Sequence, residues 1–364
     1  MKKMKHILCA GLAAALFCVY SLPFSPASSE ASAASQPEMQ KGQPLKEGDT
    51  IGVLAPASHM NSRNTDAAVK FLKQMGYKIK LAPSATAAYG YFAGTDVQRA
   101  TDINRFFADD EVDAILCLRG GYGSARILNY LDYEAIRQHP KQFIGYSDIT
   151  ALHIALAQKG RLATVHGPML GAFATSTIDQ TDFTEETFFL GIRNELYPGE
   201  IPLPPGGKLR VITPGEAEGF IIGGNLTVLT SLIGTPYEPD GKGALLFLED
   251  VDEDTYRVDR MLQQLWQNGL LSRVNGVLIG DFINADEDYE EGDFRLDEVL
   301  DYYAKLSGKP WIKGIPAGHG EHNLYLPFGI HAVMRAGEDG SASLRITESA
   351  SAAVADGKTA AGEK

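Results

Sequence analysis

Residues 142–158 have the sequence QFIGYSDITALHIALAQ, and they contain the two kinds of element from which the fold is predicted. The apolar run 142–145 has the length of a buried strand and ends on Gly145. The apolar spacing of residues 149–158 predicts a helix that begins almost at once. A strand that passes directly into a helix is typical of a parallel sheet covered by helices.

The same alternation of strands and helices extends through the first half of the chain. Short apolar runs are each followed by a stretch with apolar residues at helical spacing. The predicted strands are 50–55, 77–81 and 114–118, and the predicted helices are 66–75, 96–108 and 124–131. Residues 45–195 are therefore predicted to form one α/β domain around a parallel sheet.

A stretch rich in proline and glycine, residues 196–214, separates this domain from the rest and is predicted to be a linker. Beyond it, strands are expected at 220–222, 244–248 and 274–279, and helices at 225–233 and 255–266. We expect a second, mixed α/β domain over residues 215–347. The last stretch, 348–364, is Ala, Gly, Ser and charge without periodicity, and is predicted to be a flexible tail.

The N-terminus has the pattern of an export signal. Lysines precede an apolar segment at 7–20, and Ala31-Ser32-Ala33 fits a cleavage site, so residues 1–33 are predicted to be a signal peptide. An uncleaved membrane anchor is the alternative, which Ser21 and Pro23 weaken. We therefore expect an exported protein, in the periplasm, cell wall or medium, without stable membrane insertion after cleavage. Cys117, the one cysteine left, lies in an apolar run and is expected to be a buried hydrophobe.

Composition excludes several classes of protein. The chain has 364 residues, of which 44% are hydrophobic and 22% charged, and its formal net charge is −13. This balance suits a globular protein with a sizeable core rather than a collagen, a long disordered chain or a multi-span membrane protein. Because the net charge is acidic, a nucleic-acid partner is not expected.

Ser147 is the first candidate for chemistry. It stands in the turn between the predicted strand and helix, two residues after Gly145, as in half of the G-x-S-x-G nucleophile elbow. Ile149 occupies the place of the second glycine. The alternative is an ordinary helix cap, because Ser and Asp are preferred at that position.

A nucleophilic serine needs a base and an acid that orients the base. Among the histidines, His319 is the strongest candidate, because Gly318 and Gly320 leave room on both sides for close approach. His322 is its rival, and Glu249 is the candidate acid, since it directly follows an apolar strand. The alternatives are that His319 is an ordinary histidine in a surface loop and that Glu249 is a solvated residue at the end of a strand. The remaining histidines of the mature chain are weaker or structural candidates: His59, His139, His153, His166 and His331.

Metal and dinucleotide motifs are not matched. The acidic runs at 250–254 and 284–288 lack the glycine and the glutamate of an EF-hand, and no zinc-ligand spacing such as H-E-x-x-H occurs. Residues 121–126 end in arginine where a dinucleotide fingerprint needs Gly or Ala. The glycine turn at Gly120-Gly121 can still offer backbone N–H groups to an oxyanion.

In combination, these motifs resemble the LD-carboxypeptidase family of serine peptidases, the muramoyltetrapeptide carboxypeptidases that include the microcin C7 self-immunity peptidases. The resemblance covers residues 47–347 and rests on six strings in one order. They are Gly52-Val53-Leu54-Ala55-Pro56-Ala57-Ser58, Arg119-Gly120-Gly121-Tyr122-Gly123, Gly145-Tyr146-Ser147-Asp148, Gly223-Gly224-Asn225-Leu226, Phe247-Leu248-Glu249-Asp250 and Gly318-His319-Gly320.

The resemblance implies a Rossmann-like N-terminal domain that carries the nucleophile and a C-terminal domain that carries the acid and base. It places a Ser–Glu–His triad on Ser147, Glu249 and His319, and it implies a homodimer. The reaction would release the terminal D-Ala of a murein tetrapeptide, without a metal or an organic cofactor. The N–H groups of Asp148 and of Gly120 or Gly121 would stabilise the oxyanion, and Arg119 is the candidate for the substrate carboxylate.

The export signal departs from the many family members that look cytoplasmic, and it leaves the substrate in the cell open. One alternative is an enzyme like the microcin immunity peptidases that cleaves peptidyl or acyl nucleotides, with Tyr89, Tyr91 and Phe92 to stack the base. Another is a non-catalytic binding protein for wall peptides.

Overall fold

The computed structural model describes residues 39–176 and 182–353. The predicted signal peptide and residues 354–364 of the predicted tail lie outside this part of the chain. In chain order, the strands are β1 (Thr50–Leu54), β2 (Lys78–Leu81), β3 (Ala114–Cys117), β4 (Gln142–Gly145), β5 (Thr164–His166), β6 (Gly199–Glu200), β7 (Arg210–Thr213), β8 (Gly215–Asn225), β9 (Ala244–Val251), β10 (Gly276–Ile283), β11 (Trp311–Lys313), β12 (Leu326–Phe328), β13 (His331–Ala336) and β14 (Ala342–Ile346). The α-helices are α1 (Ser62–Gln74), α2 (Asp96–Ala108), α3 (Tyr133–Gln138), α4 (Thr150–Gly160), α5 (Phe183–Ile192), α6 (Leu226–Ser231), α7 (Thr255–Gln267), α8 (Leu270–Arg273) and α9 (Leu296–Ser307).

The first sheet has the strand order β12-β5-β4-β3-β1-β2. Strands β1 to β5 pair in parallel, and β12 joins β5 in antiparallel orientation. Every residue of β3 and β4 is buried, because helices cover both faces of a parallel sheet. The predicted parallel α/β sheet is confirmed.

The second sheet has the order β6-β14-β13-β8-β9-β10-β11-β7. Its centre, β8 to β11, is parallel, and the strands on both sides are antiparallel. The predicted mixed character of the second sheet is therefore also confirmed. Strand β8 is much longer than the predicted 220–222, because its polar first half, in which half-buried and exposed residues alternate, pairs with β13.

Some strands pair across the boundaries predicted for the two domains and the linker. Strand β12, from the C-terminal half, completes the first sheet, and the stretch predicted as a linker holds β6 and β7, one at each edge of the second sheet. The sequences of β6 and β7 do not alternate apolar and polar residues, so they do not predict strands.

The structure also differs from the predicted tail over residues 348–352. Glu348 forms an ion pair with Lys41 at 2.8 Å, and the N–H of Ala352 donates to the carbonyl of Gly42. Ala350 and Ser351 are buried. These contacts hold the stretch against the beginning of the described chain.

Helix α4 is enclosed on nearly all sides, since every residue from Thr150 to Leu156 is buried. Its Thr150 Oγ1 accepts a hydrogen bond of 2.9 Å from the N–H of Asn225, at the end of β8. The helix after the elbow is therefore bonded directly to the second sheet. Of the helices described, none is both long and apolar enough to cross a membrane.

His153, within α4, is a structural residue beneath the elbow. Its Nε2 donates to the carbonyl of Gly145 at 2.8 Å, and its Nδ1 accepts from the hydroxyl of Thr164 at 2.9 Å. Burial lowers the pKa of His153 to about 4, because a charged imidazole would lose its hydration there.

This buried imidazole predicts an acid-sensitive fold. The unfolded chain protonates His153 near pH 6.5 and the folded chain only near pH 4, so its contribution is complete above pH 6.5 and is lost as the pH falls from 6.5 to 4. The difference amounts to about 3 kcal/mol. In urea unfolding between pH 7 and pH 4, wild type should lose about this much more stability than His153→Gln, which keeps a donor for Gly145. Parallel pH dependences for the two proteins would contradict the assignment.

Candidate active site

The turn after β4 presents Ser147 on a strained backbone. Ser147 has a φ of +64°, in the left-handed region that serine seldom adopts. Such a conformation costs on the order of 1–2 kcal/mol and is typical of sites where geometry serves chemistry. The residues at the cap positions of the following 3₁₀ turn and of α4 are Tyr146 and Ile149, and the hydroxyl of Ser147 bonds to His319 instead. The alternative of an ordinary helix cap therefore does not describe this residue.

Gly145 makes the sharp turn possible. A Cβ at this position would lie 3.0 Å from two side-chain carbons of Ile149 and 3.2 Å from the Cβ of Cys117. Ile149, which stands where the common elbow motif has a second glycine, thus packs over the first one. Cys117 is wholly buried there, as its apolar surroundings in the sequence predict.

Ser147, His319 and Glu249 lie in one chain of hydrogen bonds, although they are far apart in sequence. The hydroxyl of Ser147 donates to His319 Nε2 at 3.0 Å, and His319 Nδ1–H donates to Glu249 Oε2 at 2.7 Å. Ser147 follows the end of β4 in the first sheet, and Glu249 lies near the end of β9 in the second. His319 comes from the loop between β11 and β12.

Burial and charge shift the pKa values of Glu249 and His319. Glu249 is fully buried, and burial raises its pKa although the hydrogen bond from His319 opposes the effect. At His319, burial alone lowers the pKa, but the bond to Glu249 and its charge outweigh that and raise the pKa above the ordinary value. The site therefore stabilises an imidazolium at position 319, which is the species that forms when the histidine takes a proton from the serine.

The glycines beside His319 make room for two carboxylates. A Cβ on Gly318 would lie 2.9 Å from Glu249 Oε2, and one on Gly320 would lie 2.5 Å from an oxygen of Asp281. The sequence argument expected these glycines to admit substrate and backbone. The structure shows that they admit the acid on one side and Asp281 on the other.

Asp281 is a residue of the site that the sequence reasoning missed. Burial raises its pKa to about 6, against the lowering effect of a hydrogen bond from the N–H of Gly320 and of the nearby His322 and His319. The signal that singled out Glu249 was present here too, since Asp281 follows the apolar residues 276–279 of the neighbouring β10.

One aromatic ring packs against the imidazole of His319. The ring centroid of Tyr146 lies 4.9 Å from that of His319, and His166 in turn packs edge-on against Tyr146 at 5.8 Å. His166 is fully buried, and burial holds its pKa well below the ordinary value, so it is neutral. It is a packing residue and does not reach Ser147.

The other candidate histidines do not join the site. His322, the rival of His319, packs against Phe183 with the ring centroids 5.3 Å apart. His59 is exposed, and its carbonyl accepts a bond from Arg119.

The glycine turn lies directly beside the serine. A Cβ on Gly120 would lie 3.0 Å from the Cβ of Ser147, 3.2 Å from its Oγ and 3.3 Å from the backbone nitrogen of Asp148. The space next to the hydroxyl and this N–H is open because residue 120 has no side chain. Gly121 has a φ of +100°, and a Cβ there would lie 2.5 Å from the hydroxyl of Ser58.

Asp148 holds the turn in place with its side chain. Its carboxylate accepts from the N–H of Ser124 at 2.8 Å, and its carbonyl accepts from the hydroxyl of the same serine. The carboxylate is buried and is therefore part of the scaffold, so the group of Asp148 that can face a substrate is the backbone N–H.

Arg119 is an exposed cation beside the turn. One guanidinium nitrogen lies 3.4 Å from the carbonyl of His59, and none of the ion pairs among the described residues involves Arg119. A Cβ on Gly121 would lie 3.5 Å from another of its guanidinium nitrogens, which places the cation against the glycine turn. The described residues contain no group of three or more His, Cys, Asp or Glu side chains that could hold a metal ion.

Comparison with known proteins identifies both halves of the chain. Residues 51–167 match the family model described as the LD-carboxypeptidase N-terminal domain, and residues 218–334 match that of the LD-carboxypeptidase C-terminal domain. A Bacillus subtilis protein named probable murein peptide carboxypeptidase is 41% identical over 82% of this chain and 92% of its own. The microcin C7 self-immunity protein MccF of Escherichia coli is 29% identical over 79% of this chain and 90% of its own.

A solved structure has a similar fold. The muramoyltetrapeptide carboxypeptidase from Oxalobacter formigenes superposes with a TM-score of 0.72 at 29% sequence identity, over 82% of this chain and 99% of that chain.

Glu249→Gln tests the hydrogen-bonded chain without a substrate. A fluorophosphonate reacts with an activated serine, so the labelling rate of Ser147 should rise with pH through the pKa of His319 and level off above it. The Glu249→Gln substitution removes the negative charge that raises the pKa of His319. We expect the midpoint to move to lower pH and the plateau rate to fall by at least ~10²-fold. The rates are read from gels across pH 5 to 9.

Glu253→Gln is the matched control, because it removes a carboxylate four residues further on that does not bond to His319. It should label like wild type. An unchanged rate and midpoint in Glu249→Gln would show that the buried carboxylate does not support the base.

Proposed function

The chain belongs to the LD-carboxypeptidase family, and we propose that it releases the terminal D-alanine of murein tetrapeptides through a Ser147–His319–Glu249 triad. The observation that carries the proposal is the unbroken set of hydrogen bonds from the serine to the imidazole and on to the buried carboxylate. Serine, base and acid in this order are the arrangement that acyl transfer through a covalent intermediate requires.

The triad acts in the first step as a proton acceptor. His319 Nε2 takes the proton from the hydroxyl of Ser147, and Oγ attacks the carbonyl of the L-centre before the last residue. Glu249 holds the imidazolium through Nδ1 and stabilises its charge. Because Glu249 is buried, water does not screen this interaction.

The oxyanion that forms needs donors already in place. The N–H of Asp148 borders the open space beside Ser147, and the adjoining turn would supply a second donor from Gly120 or Gly121. Donors of this kind are typically worth ~10²–10³ in kcat each.

The histidine then returns its proton to the leaving amine, D-alanine departs, and water releases the acyl group by the same steps in reverse. A carboxypeptidase must also recognise the free carboxylate of the last residue. Arg119 suits that role, because it is exposed, cationic and close to the glycine turn.

Two alternatives differ in the substrate or in catalysis. MccF, a relative of this chain, has been solved in complex with aspartyl sulfamoyl adenosine, which supports a peptidyl or acyl nucleotide as the alternative substrate. The hydrogen bonds that join the three residues argue against a non-catalytic wall-peptide binding protein. Such a protein has no need of a serine in a strained conformation that is hydrogen-bonded to a histidine. The homodimer that the family resemblance implies stays a prediction.

The first experiment measures D-alanine release from L-Ala-γ-D-Glu-meso-diaminopimelyl-D-Ala. The mature chain should release D-alanine, and Ser147→Ala should reduce the rate by at least ~10³-fold, because the nucleophile is gone. Ser272→Ala, an exposed serine on α8, is the matched control and should retain the full rate.

Equal release by wild type and Ser147→Ala would refute the assignment of the nucleophile. Absence of release from wild type that still labels with a fluorophosphonate would favour the nucleotide-linked substrate instead.

We also propose that the protein acts outside the cytoplasm, on the strength of residues 1–33. When the full chain is expressed in a bacterium, the mature protein should begin near residue 34 and fractionate with the envelope or medium. Mass spectrometry of its N-terminus is the measurement. A protein that retains residues 1–33 and stays in the cytoplasm would contradict the proposal.

A further inference from the structure

Asp281 lies in an irregular part of β10, beside Glu249 on the neighbouring strand. Leu248 and Asp250, on either side of Glu249, pair with residues of β10 that are three positions apart rather than two. The extra residue on β10 falls at positions 280 and 281. An extra residue of this kind bends a strand and redirects its side chains, and it is common next to active sites.

From this position Asp281 holds the backbone on both sides of His319. The N–H of Asp281 donates to the carbonyl of Ala317 at 3.2 Å, and its carboxylate accepts from the N–H of Gly320. A Cβ on Gly320 would lie 2.5 Å from a carboxylate oxygen, so a side chain there would displace the carboxylate. One residue of β10 therefore fastens residues 317–320, which we call the histidine segment, before and after the imidazole.

Two other side chains hold the middle of the histidine segment. The N–H of Gly318 donates to Asn323 Oδ1 at 3.3 Å, and His319 Nδ1 donates to Glu249 Oε2 at 2.7 Å. With the bond to Asp281, three successive residues each donate one hydrogen bond to a different side chain. The backbone of the segment and the angle of its imidazole are thereby fixed together.

Stability of the fold does not account for a carboxylate at position 281. Burial raises the pKa of Asp281 to about 6, from 3.8 in its ordinary state. Above pH 6 the ionised carboxylate is therefore disfavoured in the folded chain relative to the unfolded chain. Residues that lower stability are typical of functional sites.

We infer that Asp281 is a positioning residue, which holds Gly320 and thereby fixes the imidazole of His319 at the angle that its two hydrogen bonds require. This inference rests on the proposed function and adds to it a side chain that acts through His319. A base that is displaced by about 1 Å can lose ~10²-fold in rate, because the proton no longer lies in line with its acceptor.

The test compares two variants of Asp281 in D-alanine release. Asp281→Ala removes the acceptor of the Gly320 N–H, and we expect kcat to fall by ~10²-fold while KM stays within about 3-fold of wild type. Asp281→Asn keeps an oxygen acceptor of the same shape and removes the charge. Its kcat should return to within about 5-fold of wild type.

Asp286→Ala is the matched control. Asp286 follows β10 as well, and its carboxylate also accepts a backbone N–H, but from Leu296 at 2.9 Å rather than from the histidine segment. This variant should keep the kcat of wild type. Urea unfolding at pH 7 measures the stability of each protein, and Asp281→Asn should be at least as stable as wild type, because it removes a buried charge.

Three outcomes would overturn the inference. The first is a wild-type kcat in Asp281→Ala, and the second is an Asn variant as impaired as the Ala variant, which would mean that the charge matters rather than the hydrogen bond. The third is a raised KM with an unchanged kcat, which would make Asp281 a contact of the substrate.

Failure of the proposed reaction is distinguishable from failure of this inference. If wild type releases no D-alanine, the proton on His319 Nδ1 still reports the position of the imidazole, because its bond to Glu249 gives a strongly deshielded NMR signal. His319→Gln assigns the signal by its loss. The signal should be present in wild type and Asp281→Asn and lost in Asp281→Ala. Its absence from wild type, or its persistence in Asp281→Ala, would refute the positioning role.

Discussion

The hydrogen bond between His319 and the buried carboxylate of Glu249 is the interaction on which the arrangement of the molecule depends. Burying an ionised carboxylate costs free energy because the group loses its hydration. The hydrogen bond of 2.7 Å from His319 Nδ1 to Glu249 Oε2 offsets part of that cost. The bond forms only if the end of β9 lies opposite the loop that follows β11. Ser147 completes it from the other sheet, so the two sheets must stay docked for the three groups to meet. The bond from Asn225 to Thr150 and the enclosed helix α4 provide that docking.

Below the reacting groups, burial keeps His153 and His166 neutral. Burial lowers the pKa of both His153 and His166, while the carboxylate raises that of His319. Three imidazoles close to one serine thus have separate tasks because their surroundings differ. His153 holds the carbonyl of Gly145, His166 packs against Tyr146, and only His319 bonds to the hydroxyl.

The sequence was most informative where the pattern is local. Helix α2 and strand β4 have the predicted bounds, because apolar periodicity and turn residues lie within a few positions of one another. Ser147 and His319 could be singled out from their glycine neighbours, and Glu249 from the apolar strand before it. Strands β6, β7 and β12 could not, since two to four residues become strands only when a distant partner offers its edge. Asp281 follows an apolar stretch of strand as Glu249 does, but what places it in the site is Gly320, about forty positions further along, whose missing side chain leaves room for its carboxylate.

The short strand β12 has a consequence for when the enzyme can first become active. The loop that carries His319 begins after β11 in the second sheet and ends at β12 in the first, so it is fastened at both ends to different sheets. During synthesis, serine and glutamate emerge long before this closure is possible. Residues 326–328, which pair with β5 and fasten the far end of this loop, lie near the end of the chain. A ribosome-bound or unfolded chain therefore contains Ser147, Glu249 and His319 without the hydrogen bonds that join them, and these bonds can form only when both sheets are complete.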